Sequence, residues 1–220
     1  MLFSSILAAA ALLTGVSAGP VEVRQSGVTP NQEGTHNGYF FSWWSDGASP
    51  VSYVNGNGGS YTVTWQRGGN LVGGKGWNPG TGRTIQYTAD WRPVNNGNSY
   101  LAIYGWTRSP LVEYYVLEAF GEYNPASGAT KRGEVVLDGA TYDILHSMRY
   151  NAPSIDGTQT FAQYWAVRRN HRTSGSVNMS AVFSAWAAAG MNLGNHYYQI
   201  VATEAYNSQG TCTVNVLSPP

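Results

Sequence analysis

PLVEYYV, residues Pro110 to Val116, has the composition of a β-strand with one residue out of place. Aromatic and β-branched side chains suit a pleated, half-buried surface, yet Glu113 stands at the centre of the run. Because strand side chains alternate between faces, Glu113 is expected to share its face with Tyr115, Leu117 and Ala119. The same kind of run recurs on both sides: YFFSWW (Tyr39–Trp44), SYTVTW (Ser60–Trp65), RTIQYT (Arg83–Thr88), SYLAIYGWT (Ser99–Thr107) and TFAQYWAVR (Thr160–Arg168). Gly, Asn and Pro clusters separate them, a spacing that predicts an all-β fold, an antiparallel sandwich or barrel. One segment departs from it. In NMSAVFSAWAAAG (Asn178–Gly190), Met179, Val182, Phe183 and Trp186 fall at i, i+3, i+4 and i+7, one face of a helix. Asn178 fits its N-cap and Gly190 its C′ position, so a single helix packed against the sheets is predicted.

Composition narrows the function. Of 220 residues 42% are hydrophobic, enough for a sizeable core, and only 11% are charged, with 12 basic and 12 acidic. A chain without net charge has no field for holding nucleic acid or an anionic membrane, so neither is expected as a partner. The 15 Tyr and 8 Trp, each a flat apolar face with a polar edge, suit stacking against sugar rings. At the N-terminus an apolar run from Ile6 to Leu13 followed by Val16-Ser17-Ala18 reads as a secretory signal peptide over 1–18. Residues 19–24, GPVEVR, read as a short propeptide, and the chain is expected to be secreted. No repeat or Pro-rich linker divides the remainder, so one domain is expected over 25–216, with a tail at 217–220. The single Cys212 has no disulfide partner within the chain, which leaves packing and sheet hydrogen bonds to stabilise an exported protein.

Several nominal motifs fail on chemistry. Gly69–Gly76 nearly matches a P-loop, but Gly76 stands where a magnesium-binding Ser or Thr is needed. The four His have no Cys or carboxylate at ligand spacing, and no metal or cofactor is expected. Arg168-Arg169-Asn170-His171-Arg172 reads as a solvated strand end with ion pairs. Most of the 12 carboxylates lie where solvent is expected, as Asp46 and Asp156 do beside Gly in turns. Two do not. Besides Glu113, Glu204 lies in YQIVATEAY (Tyr198–Tyr206), on the face of Tyr198, Ile200, Ala202 and Tyr206. Each glutamate has a Tyr two residues on. A satisfied polar group on a solvent face explains either one alone, and a sugar-binding lectin accounts for the aromatics. Two such residues in a neutral, Tyr- and Trp-rich β protein point instead to a carboxylate pair in a carbohydrate cleft.

PLVEYYV, TEAYNSQG (Thr203–Gly210), NGYFFSWWSDG (Asn37–Gly47), NLVGGKGW (Asn70–Trp77), YNPASGAT (Tyr123–Thr130) and the long run from Asn151 to Val177 resemble, in order and spacing, the family 11 endo-β-1,4-xylanases. The resemblance implies a β-jelly roll of two curved antiparallel sheets with one helix, shaped like a partly closed hand. It implies a monomer that hydrolyses xylan or xylo-oligosaccharides by a retaining double displacement, with Glu113 as nucleophile and Glu204 as acid/base. Tyr104 and Tyr115 match residues that hydrogen-bond substrate and nucleophile, Tyr198 another in the cleft, and Trp44 a Trp that stacks on a xylose ring. Arg149, Pro153 and Gln163 match substrate-contacting positions, with Pro153–Gly157 as the tip of a mobile thumb hairpin. Asn70 matches a position beside the acid/base that tunes the pH optimum, here toward near-neutral or mildly acidic. By pattern alone, Asn178-Met179-Ser180 is an N-glycosylation acceptor.

Overall fold

A computed structural model describes residues 27–94 and 97–220; the expected signal peptide (1–18) and propeptide (19–24) lie outside the described residues. Among the described residues fourteen strands, numbered in chain order, form two sheets. The larger runs, in spatial order, β1 (Gln32–His36), β2 (Tyr39–Ser45), β5 (Asn70–Trp77), β13 (Asn195–Tyr206), β7 (Asn98–Arg108), β8 (Val112–Phe120), β11 (Gly157–Arg168), β10 (Ala140–Ser154) and β9 (Thr130–Leu137). The smaller runs β12 (Ser174–Asn178), β6 (Thr84–Val94), β14 (Gln209–Val216), β4 (Ser60–Trp65) and β3 (Val51–Asn55). This is the all-β jelly roll with one helix that the strand runs and the family pattern predict.

One pairing departs from the all-antiparallel expectation. β8 and β11 run parallel, with Gln163 opposite Glu113 and Trp165 opposite Tyr115. The β9–β10 segment lies between them in sequence, and a connection of that length frees the pair from the antiparallel geometry a short hairpin imposes.

The larger sheet carries two apolar layers. One face packs on the smaller sheet through Trp43, Tyr53, Tyr61, Trp65, Tyr87, Ile103, Tyr114 and Val116. Here Tyr53 stacks on Trp43 and Tyr61 with ring centroids 5.2 and 5.5 Å apart. The opposite face carries a second cluster, Tyr100, Tyr104, Trp106, Tyr115, Phe161, Trp165 and Tyr198 among it. That face would ordinarily be polar and solvated on an antiparallel sheet, so its aromatic character marks it as built to cover something.

Alternation holds along β8 only as far as Leu117. The register with β7 shifts between Leu101 and Ala102, so that Leu101 pairs with Ala119 and Ala102 with Leu117. The extra residue, Glu118, reverses the phase of the strand beyond it. Ala119 therefore packs between the sheets and not, as its spacing predicts, on the face of Glu113. Glu118 is a third strand carboxylate withdrawn from solvent, fully buried, where the sequence singles out two. It accepts hydrogen bonds from Tyr87 Oη (2.7 Å), from Tyr142 Oη (2.6 Å) and from Arg172 Nε.

Arg172 and Arg168 thus depart from the solvated strand end predicted for the basic run. Arg168 is buried and donates to Tyr142 Oη at 2.9 Å and to the Asn170 carbonyl at 2.7 Å. Arg169 alone behaves as expected, pairing with Asp143 and Glu134 at 2.7 and 2.6 Å. A buried carboxylate inside a sheet needs a cation and hydroxyls from elsewhere: the turn after β11 supplies Arg172, and β6 and β10 supply Tyr87 and Tyr142.

The helix α1 spans Met179–Ala188 and buries Met179, Val182 and Trp186. Asn178 Oδ1 accepts from the Ala181 N–H at 3.2 Å, closing the N-terminus, and Gly190 leaves the helix at φ +74°, a conformation that favours glycine. The tail at 217–220 is docked: Ser218 accepts from Gln86 N–H and Tyr39 Oη, and the Pro219 carbonyl from Trp77 Nε1, tying both sheets together.

Candidate active site

The aromatic face of the larger sheet forms the floor of a cleft of about 600 Å³. Across it, sheet register sets side chains in rows. Glu113 on β8 lies between Trp106 of β7 and Gln163 of β11. In the next row Tyr115 is flanked by Tyr104 and Trp165, and Tyr104 by Ile200 of β13. Then come Ala102 and Ala202, and after them Tyr100 with Glu204. The small alanines leave room for Tyr115 to reach along the sheet. Its hydroxyl donates to Glu204 Oε2 at 3.1 Å while its ring stacks on Trp165 at 4.2 Å and 7°. Both glutamates therefore line one cleft, on strands separated only by β7.

Their surroundings differ. Glu113 is buried, and its two oxygens accept from Tyr104 Oη (2.7 Å) and Gln163 Nε2 (2.7 Å). Burial pushes its pKa above the ordinary 4.5, while the Gln163 and Tyr104 donors and the positive charge of Arg149 hold that rise back. Glu204 is half-buried and accepts from Tyr100 Oη as well as Tyr115. Burial and the negative charge of Glu113 drive its pKa up to about 8, against the opposing pull of Tyr100, Tyr115 and Arg149. The tyrosines stay protonated throughout, since burial and the two carboxylates raise their own pKa values well above 10. Both carboxyls are thus raised by burial, but only Glu204 carries the added repulsion of a negative neighbour as a leading cause, which favours its protonated form near neutral pH.

The other residues singled out in the sequence reach the same cleft. Trp44, Asn70, Arg149, Pro153, Gln163 and Tyr198 all line it. Tyr198 is buried, 6.0 Å by ring centroids from Tyr104. Asn70 is opposite Tyr206 in the β5–β13 register, diagonal to Glu204, which itself faces Val72. Pro153 stands at the end of the β10–β11 hairpin, whose turn closes at Gly157 with φ +77°. From the tip of that hairpin Asp156 takes a two-pronged ion pair from Arg108, with contacts of 3.0, 3.0 and 2.6 Å. Asn178 lies away from the cleft lining, exposed, with Oδ1 engaged as the helix cap and Nδ2 open to solvent.

Some contributors escaped the sequence reading. Tyr100, the donor to Glu204, could have been found: Tyr100, Ala102, Tyr104 and Trp106 alternate onto one face of β7. Trp106 donates to Tyr104 Oη at 2.6 Å and so fixes the hydroxyl that faces Glu113. Glu33, on β1, lines the cleft rim and accepts from Tyr197 Oη at 2.8 Å and Ser42 Oγ at 3.1 Å. Nothing in its exposed, short strand singles it out in the sequence. Among the described residues no cluster of His, Cys, Asp and Glu is arranged to hold a metal ion, and no helix is long and apolar enough to cross a membrane.

Comparison with known proteins adds an independent view. Residues 36–215 match the family model described as glycosyl hydrolases family 11. The chain is 61% identical to ethylene-inducing xylanase 4 of Verticillium dahliae, with 99% of each chain covered. It is 60% identical to endo-1,4-beta-xylanase I of Cochliobolus carbonum, again over 99% of both. With endo-1,4-beta-xylanase A of Gibberella zeae the identity is 57% over 97% of each chain.

Proposed function

The chain belongs to the glycosyl hydrolases of family 11, and from that premise we propose that it is an endo-1,4-β-xylanase in which Glu113 is the nucleophile and Glu204 the acid/base. The observation that carries the assignment is the pair of glutamates on one cleft floor, on strands separated only by β7; Glu113 is held by Tyr104 and Gln163, and burial with the charge of Glu113 pushes Glu204 up to about 8. The relatives named as xylanases support xylan, or xylo-oligosaccharides, as substrate. A neutral polysaccharide suits a cleft lined by Trp44, the tyrosines and a single arginine, Arg149.

In the first displacement the Glu204 proton passes to the glycosidic oxygen as Glu113 attacks the anomeric carbon. The leaving chain departs as an alcohol and the sugar is held as an ester of Glu113. That esterification removes the charge of Glu113, one of the two causes of the raised pKa of Glu204. Glu204, now ionised and more acidic than before, takes a proton from water. The water oxygen attacks the same carbon as that proton leaves it, which releases Glu113 as carboxylate and leaves Glu204 protonated as at the start. The role change follows from the mutual repulsion of the two groups and needs no other residue to move.

Glu113→Gln and Glu204→Gln are each expected to lower reducing-sugar release from xylan more than about a hundredfold. Near-wild-type activity in either variant would remove that residue from its role. Proton NMR of the first-formed product decides the stereochemistry: a β-anomer appearing first is the retaining outcome, and an α-anomer first excludes it. The apolar run before Ala18 supports export of the enzyme, and mass spectrometry of culture medium, read for the mature N-terminus, tests that reading.

A further inference from the structure

The nucleophile's second donor, Gln163, belongs to a chain of hydrogen bonds that runs from the cleft floor through β10 and back. Ser147 on β10 lies directly opposite Gln163 on β11, which lies directly opposite Glu113 on β8, so the three side chains form one row across adjacent strands. Trp165 Nε1 donates to Ser147 Oγ at 3.0 Å, Ser147 Oγ donates to Gln163 Oε1 at 3.2 Å, and Gln163 Nε2 donates to Glu113 Oε2 at 2.7 Å.

The direction of this chain is set at its start. An indole N–H can only donate, so Ser147 accepts there and its one hydroxyl hydrogen is left for Gln163. An amide presents an acceptor at one end and donors at the other; with Oε1 bound to Ser147, Nε2 is turned to the carboxylate. Were the amide reversed, its oxygen would face the Glu113 oxygen, two acceptors in contact at a buried site. Ser147 would then meet donors on both sides and have no acceptor for its own hydrogen, a costly arrangement away from water. Trp165 is itself held by stacking on Tyr115.

We propose that Ser147 is a positioning residue for the reaction: its hydroxyl, oriented by Trp165, locks the Gln163 amide with its donor toward Glu113. The lock serves both states of the nucleophile. The free carboxylate is stabilised by a fixed donor, and in the glycosyl ester the carbonyl oxygen accepts the same hydrogen bond, so nothing must reorient between the two displacements.

The meaning of this relay rests on Glu113 being the nucleophile, so its test reads the carboxyl group directly. In protein labelled with ¹³C at the glutamate carboxyls, the Glu113 titration midpoint is followed by NMR in the wild type, Ser147→Ala and Ser147→Thr. The Ala variant is expected to raise the midpoint by about half to one pH unit, about half the one to two units that a whole hydrogen bond to a charged group is worth, because the Gln163 bond is loosened and not deleted. Ser147→Thr, which keeps the hydroxyl, is expected to leave it in place. The acid limb of kcat/KM against pH should move with the Glu113 midpoint. An unmoved midpoint in the Ala variant overturns the proposal, as does a Thr variant displaced as far as Ala, which would make packing and not the hydroxyl the cause. If Ser147→Ala does not fold, Trp165→Phe keeps a ring on Tyr115 and removes the orienting donor; it must raise the midpoint, and no change overturns the relay. Because the titration needs no turnover, activity retained by Glu113→Gln would refute the nucleophile while leaving the relay judged on its own.

Discussion

Glu204 is held protonated at a cost to the fold, and that cost is measurable without any substrate. Its pKa stands at about 8 against an ordinary 4.5. Between those values the folded chain keeps a proton that the unfolded chain has already lost, so stability must fall as pH rises through the window. The penalty is absent below pH 4.5 and complete above about 8. At about 1.4 kcal/mol per pH unit, the full displacement would amount to about 5 kcal/mol for an enclosed group. Glu204 is only half-buried and opens on the cleft, and solvent screening reduces the figure to about 2 kcal/mol. Glutamine keeps one acceptor oxygen, turns an NH2 donor to the other tyrosine hydroxyl as the protonated acid does with its O–H, and cannot ionise. Glu204→Gln should therefore melt higher than the wild type at pH 8–9 by about 4–8 °C, taking about 2–4 °C per kcal/mol for a domain of this size. The advantage should be smallest near pH 4, grow through neutrality and level off above about 8. The midpoints are read by calorimetry, one pH unit at a time. Any relief of Glu113 by removal of its negative neighbour adds in the same direction. A difference that stays flat from pH 4 to 9, or one that shrinks as pH rises, would refute the claim that Glu204 is held neutral by its surroundings.

Groups outside the carboxyl pair give two further expected outcomes. Glu118→Ala strips the buried acceptor from Tyr87 and Tyr142 and leaves Arg172 with Asp138, at 3.5 Å, as its carboxylate partner, and should cost about 3 kcal/mol by urea unfolding; a loss under about 1 kcal/mol would show that Asp138 and solvent already satisfy Arg172. Arg108→Gln frees the hairpin tip from its ion pair with Asp156, and Arg108 also lies 4.3 Å above the Tyr197 ring. Since both partners are about 40% exposed, the pair is worth at most about 1 kcal/mol, or about fivefold in KM for xylan, and molar salt should erase the difference between variant and wild type. A change that survives high salt would locate the effect elsewhere than in the ion pair.

What could be read from the sequence, and what could not, divides along a physical line. Strands such as SYTVTW and the helix at Asn178–Gly190 were legible because their apolar period reports the face each element buries. Glu113 and Glu204 were legible because a carboxylate amid aromatic strand residues is costly and must be held by something. Glu118 was not, although its strand is the same one. The bulge that buries it also reverses the phase of β8, and no residue type in VLEAF announces that extra position. The partners of the two glutamates were harder still. Tyr104 is 9 residues from Glu113 and belongs to the adjoining hairpin strand, so a correct register alone would place it. Gln163 is 50 residues away, on the one parallel neighbour, and Ser147 lies a strand further out. Alternation tells which face a side chain takes but not which strand comes to lie beside it. Here that order decides the chemistry: an antiparallel β11 would reverse the course of its side chains along β8, and the register that now places Gln163 beside Glu113 and Trp165 beside Tyr115 together would be lost. The hydrogen bonding of Glu113 thus depends on a strand direction, a property of the whole sheet that no local run of residues carries.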